Sequence, residues 1–260
     1  MLITLTTDFG YADPFVGIMK GVIFGINPQA QIVDLSHGIP AHDVMAAALV
    51  LRHSVPYFPG RSIHVVVVDP GVGSARRPLL VEFEGNYFIG PDNGLLSLAI
   101  GRGRPSRIIY LSNTTYYLRP TSTTFHGRDV FASVAGYLSL GTAPENFGEI
   151  INDCVELRWP AVLRTETTLQ GEIVYVDHFG NLSTNIGGDD LKEQSGQPLK
   201  ITLRDLSILG LATNYAAVEP GEYVALINSW GLLEIAICQG NARQNSRAAV
   251  GDKVQVTWEG

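Results

Sequence analysis

The chain is short of charge, has almost no cysteine and contains no long apolar run. Of its 260 residues 17% are Asp, Glu, Lys or Arg, and Cys154 and Cys238 are the only cysteines. Two isolated cysteines exclude a disulfide scaffold and show no metal-type spacing. They fit a reducing, cytoplasmic setting. The opening MLITLTTDFG lacks a basic stretch followed by a long apolar one. No signal peptide and no membrane span are expected. Positive charge is also in deficit, with 18 Lys and Arg against 25 Asp and Glu, a net charge of -7. That balance argues against a nucleic-acid backbone as partner and leaves room for a small cationic ligand.

What is present is apolar surface, since 45% of residues are hydrophobic. This is enough for a sizeable core and too much for a disordered chain. The most informative stretch is HVVVVDPGVGSARR, His64 to Arg77. Four successive valines read as a strand buried on both faces, hence an inner strand of a mostly parallel sheet. Pro70 ends the ladder, and Gly71 and Gly73 allow a sharp turn. Asp69 and Arg76 therefore fall near the carboxyl edge of a sheet, where open α/β sheets bind ligands.

The first part of the chain alternates strand and helix signals. Strands are expected at 2–7, 31–35, 64–68, 79–83, 87–89 and 107–111, and helices at 15–24, 44–53, 94–100 and 129–138. This alternation predicts an α/β N-terminal domain with a largely parallel sheet, residues 1–157. Trp159-Pro160 and the polar run at 164–168 predict a linker at 158–168. Beyond it, short β-prone runs at 172–176, 199–203, 223–227, 232–238 and 253–258 are separated by Gly, Asn and Asp. They predict a small all-β barrel over 169–260, with one short helix at 189–193.

Each candidate site residue has an ordinary structural reading beside the functional one. Asp8 ends the first strand in TTDFG; it could bond a sugar diol or simply close a turn. Asp69 and Arg76 could be a surface ion pair of little energetic weight. PGVGSARR is not a dinucleotide fingerprint, because Arg76 occupies the third glycine position and Pro78 interrupts the helix that should follow. In TFHGRDVF, His126 precedes a helix, either as a neutral base or donor or as part of a capping segment. His37, His42, Asp43 and Asp13 match no standard metal-ligand spacing. Two later turns, DHFGN (Asp177–Asn181) and NSWG (Asn228–Gly231), carry polar and aromatic groups but are also ordinary hairpin turns.

Taken together, TTDFG, DPGVGSARR, GPDNGLL, FHGRD, DHFGN, NSWGLLEIA and the Gly-Asn-Ala at 240–242 occur in an order that resembles the SAM hydroxide adenosyltransferases. These are hydrolytic relatives of fluorinase and the bacterial chlorinase. The resemblance covers nearly all of the chain. It implies hydrolysis of S-adenosyl-L-methionine (SAM) to adenosine and L-methionine, with no cofactor and no metal. It also implies a homotrimer whose ligand lies between the N-terminal domain of one subunit and the C-terminal domain of its neighbour. On this resemblance Asp8 would hold the ribose hydroxyls, and Asp69, Arg76 and His126 would handle the water nucleophile. Phe179, Asn181, Asn241 and Ala242 would contact adenine, Asp177 the methionine ammonium and Ser229 its carboxylate. Where fluorinase has tyrosine, serine and two tryptophans, this chain has Asp69, Gly127, His42 and Ser183. An anionic Asp69 disfavours a halide nucleophile. Two rival functions remain open at this stage, a non-catalytic SAM or adenosine sensor and a metal-dependent hydrolase.

Overall fold

The computed structural model describes residues 1–101, 103–194 and 197–258. The chain forms two compact units, Met1–Arg158 and Trp159–Gly260. In the first unit the chain order is β1 (Leu2–Thr7), α1 (Phe15–Ile26), β2 (Gln31–Ser36), α2 (Val44–Ser54), β3 (Ile63–Val67), β4 (Pro78–Phe83), β5 (Asn86–Pro91), α3 (Leu95–Ile100), β6 (Arg107–Tyr110), α4 (Ser133–Ser139) and β7 (Glu149–Ile151). Its seven strands form one sheet in the order β2-β1-β3-β5-β4-β6-β7.

The expected α/β architecture is present. The pairs β1–β2, β1–β3 and β3–β5 are parallel, which accounts for the valine run: Val65, Val66, Val67 and Val68 are all buried. The hairpin β4–β5 then reverses direction, and β6 and β7 extend the sheet antiparallel. One face of the inner strands presents Ile3, Leu5, Ile63, Val65 and Val67 to Met19 and Ile23 of α1 and to Phe131, Val134 and Leu138 at α4. α2 is capped by Asp43, whose side chain accepts from Ala46 N at 2.9 Å. A carboxylate at that position satisfies one of the helix's orphan N–H groups.

Strand order places the ligand-binding edge. After β1 the chain crosses through α1 to β2 on one side, then through α2 to β3 on the other. The switch point of the parallel region therefore lies between β1 and β3. Thr7 is in register with Val67, so Asp8 and Asp69 leave adjacent strands at the same edge.

The second unit contains β8 (Leu163–Arg164), β9 (Thr168–Val176), β10 (Leu182–Gly187), β11 (Leu199–Leu203), β12 (Leu206–Leu209), β13 (Tyr223–Ile227), β14 (Leu232–Ile237), α5 (Ala242–Ser246) and β15 (Lys253–Trp258). All its ladders are antiparallel, in the order β12-β11-β15-β9-β10-β14-β13, with β8 on β9. Ala212, just past β12, bridges to Leu226 of β13, so the sheet nearly closes into the expected barrel. Alternate residues fill it: Leu169, Ile173, Leu182, Ile201, Leu203, Leu233, Ile235, Val254 and Val256 form a buried cluster. This inward alternation is what a closed antiparallel sheet demands.

Candidate active site

The loop after β3 is a chain of short turns that folds Arg76 back onto Asp69. Val72 N donates to Asp69 O at 3.2 Å, Ser74 N to Gly71 O at 3.1 Å, and Arg76 N to Ser74 Oγ at 3.2 Å. Gly73 has φ +78°, and a Cβ there would lie 2.4 Å from the Thr123 carbonyl oxygen. Only glycine permits this turn to press against the 122–126 segment. That segment is pinned in turn by the buried Asp129, which accepts from Ser122 N at 2.7 Å and from Arg128 Nε at 2.6 Å.

The three side chains meet as a network. Arg76 Nε donates to Asp69 Oδ1 and Oδ2 at 2.9 and 3.0 Å, and Arg76 Nη2 also bonds Asp69 Oδ2. The same Nη2 lies 2.8 Å from His126 Nδ1. The side chains of Arg76 and Asp69 are 8% and 5% exposed, so solvent screens the pair little. A surface ion pair is thus ruled out, and the guanidinium lies 5.4 Å from the Phe131 ring centre. A guanidinium can only donate, so His126 Nδ1 accepts and the neutral ring carries its proton on Nε2. Burial first, then the charge of Arg76, push the imidazole below its ordinary value and hold it neutral.

Asp8, Asp69 and His126 line one cavity of about 510 Å³, shared with Phe9, Phe15, His42, Phe125, Gly127 and Arg128. Arg76 stands behind this wall. The three phenyl rings of Phe9, Phe15 and Phe125 pack edge to face, with centroids 5.2–5.9 Å apart. Gly127 belongs to their seat: a Cβ there would lie 3.2 Å from Phe125 and 3.4 Å from Phe9. Asp8 Oδ2 accepts from His42 N at 2.9 Å. Behind Asp8, Thr7 Oγ1 accepts from Phe9 N at 3.2 Å and lies 2.8 Å from His37 Nδ1. His37 Nε2 is 3.2 Å from Asp34, which pairs with Lys20 at 2.6 Å. These contacts fix the strand end that carries Asp8 and give His37 a structural task. Among the described residues no three His, Cys, Asp or Glu side chains converge as metal ligands would.

The remaining candidates lie in the second unit, in two groups. Asp177 and Ser229 line a cavity of about 170 Å³ with Tyr175, Ser183, Tyr215, Asn228, Trp230 and Glu234. Phe179, Asn181, Asn241 and Ala242 are outside it. Asp177 joins the groups, accepting from Asn181 N and Nδ2 at 2.8 and 3.0 Å. Gly180 abuts Asn241 so closely that a Cβ would come 2.2 Å from Asn241 Oδ1. Asn241 caps α5, accepting from Gln244 N at 2.8 Å, and Ala242 is wholly buried. Phe179 is 71% exposed at the tip of this turn. Sequence reasoning missed the phenyl trio of the first cavity and Glu234 of the second. Glu234 did carry a signal, as a single acid inside the apolar run LLEIAI.

The first unit is an α/β sheet with an acid–guanidinium–imidazole network at its switch point, and the second is a nearly closed antiparallel barrel with polar turns, each with a cavity of its own. The chain belongs to the SAM hydroxide adenosyltransferase family. Residues 3–148 match the family's N-terminal domain and residues 171–255 its C-terminal domain. It is 36% identical to a protein named (R)-S-adenosyl-L-methionine hydrolase from Salinispora tropica, over 98% of this chain and 97% of that one. It is 26% identical to a fluorinase from Actinopolyspora mzabensis, over 90% of each. A solved structure of an uncharacterized conserved protein from Thermotoga maritima superposes with a TM-score of 0.92 at 32% identity. That match covers 98% of this chain and all of that one.

Proposed function

We propose that this protein hydrolyses SAM, with water or hydroxide attacking C5′ to give adenosine and L-methionine. The observation that carries the reading is the buried Asp69–Arg76–His126 network bordering the cavity that also holds Asp8. In the reaction the C5′–O bond forms as the C5′–S bond breaks. The sulfur takes the electron pair and leaves as a neutral thioether, so the leaving side needs no acid. The water proton goes to a base. His126 Nδ1 is occupied by Arg76, and its Nε2 already bears a proton. His126 therefore acts as an orienting donor, and Asp69 is the group placed to take the proton. Positioning can supply roughly 7–11 kcal/mol in ideal intramolecular cases, against about a hundred- to ten-thousand-fold for general base action. Most of the acceleration is assigned to alignment.

Asp8 is assigned to the ribose hydroxyls. Phe179, Asn181 and Asn241 are assigned to adenine, with exposed Phe179 as a face for stacking, and the wholly buried Ala242 backs that segment. Asp177 is assigned to the methionine ammonium and Ser229 to its carboxylate, supported by their shared cavity. A homotrimer with each site completed by a neighbouring subunit belongs to the same reading and is supported by the family resemblance. A cytoplasmic setting accords with two unpaired thiols, Cys154 and Cys238. No helix among the described residues is long and apolar enough to cross a membrane.

The test is chromatography of the protein incubated with SAM in metal-free buffer, with and without chloride. Adenosine and methionine in equal amounts, indifferent to chloride, are expected. A 5′-halogenated adenosine would overturn the role of Asp69. Bound SAM without products would mean a sensor, and activity only after metal addition a metal-dependent hydrolase.

A further inference from the structure

Glu234 is a buried acid bonded by neutral groups. It lies in the middle of β14, 4% exposed, opposite Ser183 of β10 and Leu226 of β13. Three neutral groups donate to it. Tyr215 Oη bonds Oε1 at 2.7 Å; Asn228 Nδ2 and Ser183 Oγ bond Oε2 at 2.9 and 3.3 Å. The direction of the Asn228 amide is fixed. Asn228 Oδ1 already accepts from Trp230 N and Leu232 N at 2.9 and 3.1 Å, so its amide nitrogen must point toward Glu234 and Ser183. Burial, then Glu234, then Asp177 raise the Tyr215 hydroxyl well above the usual phenol range.

Burying a carboxylate costs several kcal/mol unless something of opposite charge meets it. The groups that bond Glu234 are the neutral Tyr215, Asn228 and Ser183, and Asp177, which faces the same 170 Å³ cavity, is bonded by Asn181. Tyr175 and Trp230 line it too, with ring centres 4.9 Å apart. Two carboxylates, fixed hydroxyl and amide groups and aromatic rings form an enclosure suited to a compact organic cation. It has a third of the volume of the cavity at Asp8, the right order for an amino-acid head group and not for a nucleoside.

We infer that Glu234 is a specificity-determining residue that, together with Asp177, selects substrates bearing a free, protonated α-amino group. The inference rests on the proposed SAM reading. It goes beyond it in giving the ammonium two anionic partners and making the barrel cavity a filter against adenosyl compounds without an amino acid. Ser183 and Asn228 are then positioning residues that aim the Glu234 carboxylate.

The test is Glu234→Gln in the full chain. SAM turnover and the binding of S-adenosylhomocysteine, 5′-methylthioadenosine and adenosine would be measured for both proteins. We expect the KM for SAM and the Kd for S-adenosylhomocysteine to rise together, by about tenfold to a hundredfold. The affinities for 5′-methylthioadenosine and adenosine, which lack the amino-acid head, should not move. The thermal midpoint should stay equal or rise, because an uncompensated buried charge has been removed. Equal affinities for all four compounds would overturn the inference. Weakened SAM with unchanged S-adenosylhomocysteine would overturn it too, by placing Glu234 at the sulfonium. A variant that unfolds, or loses adenosine as well, would show a structural acid and no filter. Wild-type protein that binds S-adenosylhomocysteine through Glu234 yet never cleaves SAM would leave the filter standing and remove the reaction.

Discussion

Asp69→Asn is the sharpest single test of the network, because it removes one charge and almost no volume. In the native protein Asp69 accepts from Arg76 Nε with both oxygens and from Nη2 with one. An asparagine keeps one acceptor and no charge, and its NH2 group would face the guanidinium. Arg76 has nowhere else to turn: its side chain is 8% exposed and its Nη1 has no partner in the protein. Breaking a buried pair from one side costs about 3–5 kcal/mol, most of it the unmatched charge that remains. Retention of one acceptor and the nearby Phe131 ring argue for the lower end, about 3 kcal/mol. Such a loss is a large fraction of an ordinary stability of about 5–15 kcal/mol without abolishing the fold. Removing both charges, as Asp69→Asn with Arg76→Gln, should cost less than the two singles combined, by about 1–3 kcal/mol. Urea unfolding of the four proteins gives that coupling. SAM turnover should fall about a hundred- to ten-thousand-fold in Asp69→Asn while adenosine affinity stays close to that of the wild type. Additive stabilities, or turnover within a few-fold of wild type in a folded variant, would refute the argument.

Asp8→Asn should weaken adenosine binding about tenfold to a hundredfold while changing kcat less; calorimetry with adenosine checks it, and unchanged affinity removes the ribose role. His126→Asn keeps an acceptor for Arg76 but deletes the Nε2–H, so kcat should drop with little change in KM. Because the imidazole is held below its ordinary value, wild-type activity should decline only below about pH 6.5, and that acid limb should vanish in the variant. A limb that persists would belong to another group. His64, wholly buried beside Thr4 with a 2.8 Å bond, is pushed by burial down to about 4. Between about pH 6.5 and 4 the unfolded chain takes up a proton that the folded chain refuses. Stability present above pH 6.5 is therefore lost as pH falls through this window, by about 3 kcal/mol. Denaturant midpoints at pH 7 and 4.5 should show a smaller difference in His64→Phe, and an unchanged difference would assign the acid sensitivity elsewhere.

Fold class was legible where burial imposes a pattern. The valine run, the Gly and Asn-Pro stops after α1 and the Ala-rich α2 each combine propensity with periodicity, and each lies where expected. The β10 strand was not legible, because LSTNIG is read as part of a turn until its partners β9 and β14 are known. Its Ser183, Thr184 and Asn185 are buried and polar, bonded to the neighbouring β14 and to the Pro160 carbonyl, which no local rule signals. The helix expected from Asp129 begins earlier, as a wide π-turn from Gly127 to Ala132 leading into α4. Wide turns of this kind are frequent at functional sites, and they leave no sequence period of their own.

The candidate site was legible to the extent that strand order determines it. Asp8 and Asp69 could be placed at a sheet edge from composition and turns, and parallel register then makes them neighbours. What a linear reading cannot supply is which groups share a proton or a charge. The neutral state of His126 follows only when a donor-only guanidinium is found 2.8 Å from its Nδ1. Glu234 shows the same point in reverse. In LLEIAI it looks like an outward-facing acid on an ordinary strand, yet it is 4% exposed. Its meaning comes from what surrounds it: three neutral donors drawn from Ser183, Tyr215 and Asn228, and a second acid at Asp177. A protein gains no stability from such an arrangement when a matched apolar group would pack as well. The two networks thus differ in their electrostatics. The first holds one guanidinium against one carboxylate and a neutral ring, which on the proposed reading leaves little net charge to hinder a water nucleophile. The second gathers two acids among neutral groups, where on the proposed reading the cationic head of an amino acid would sit.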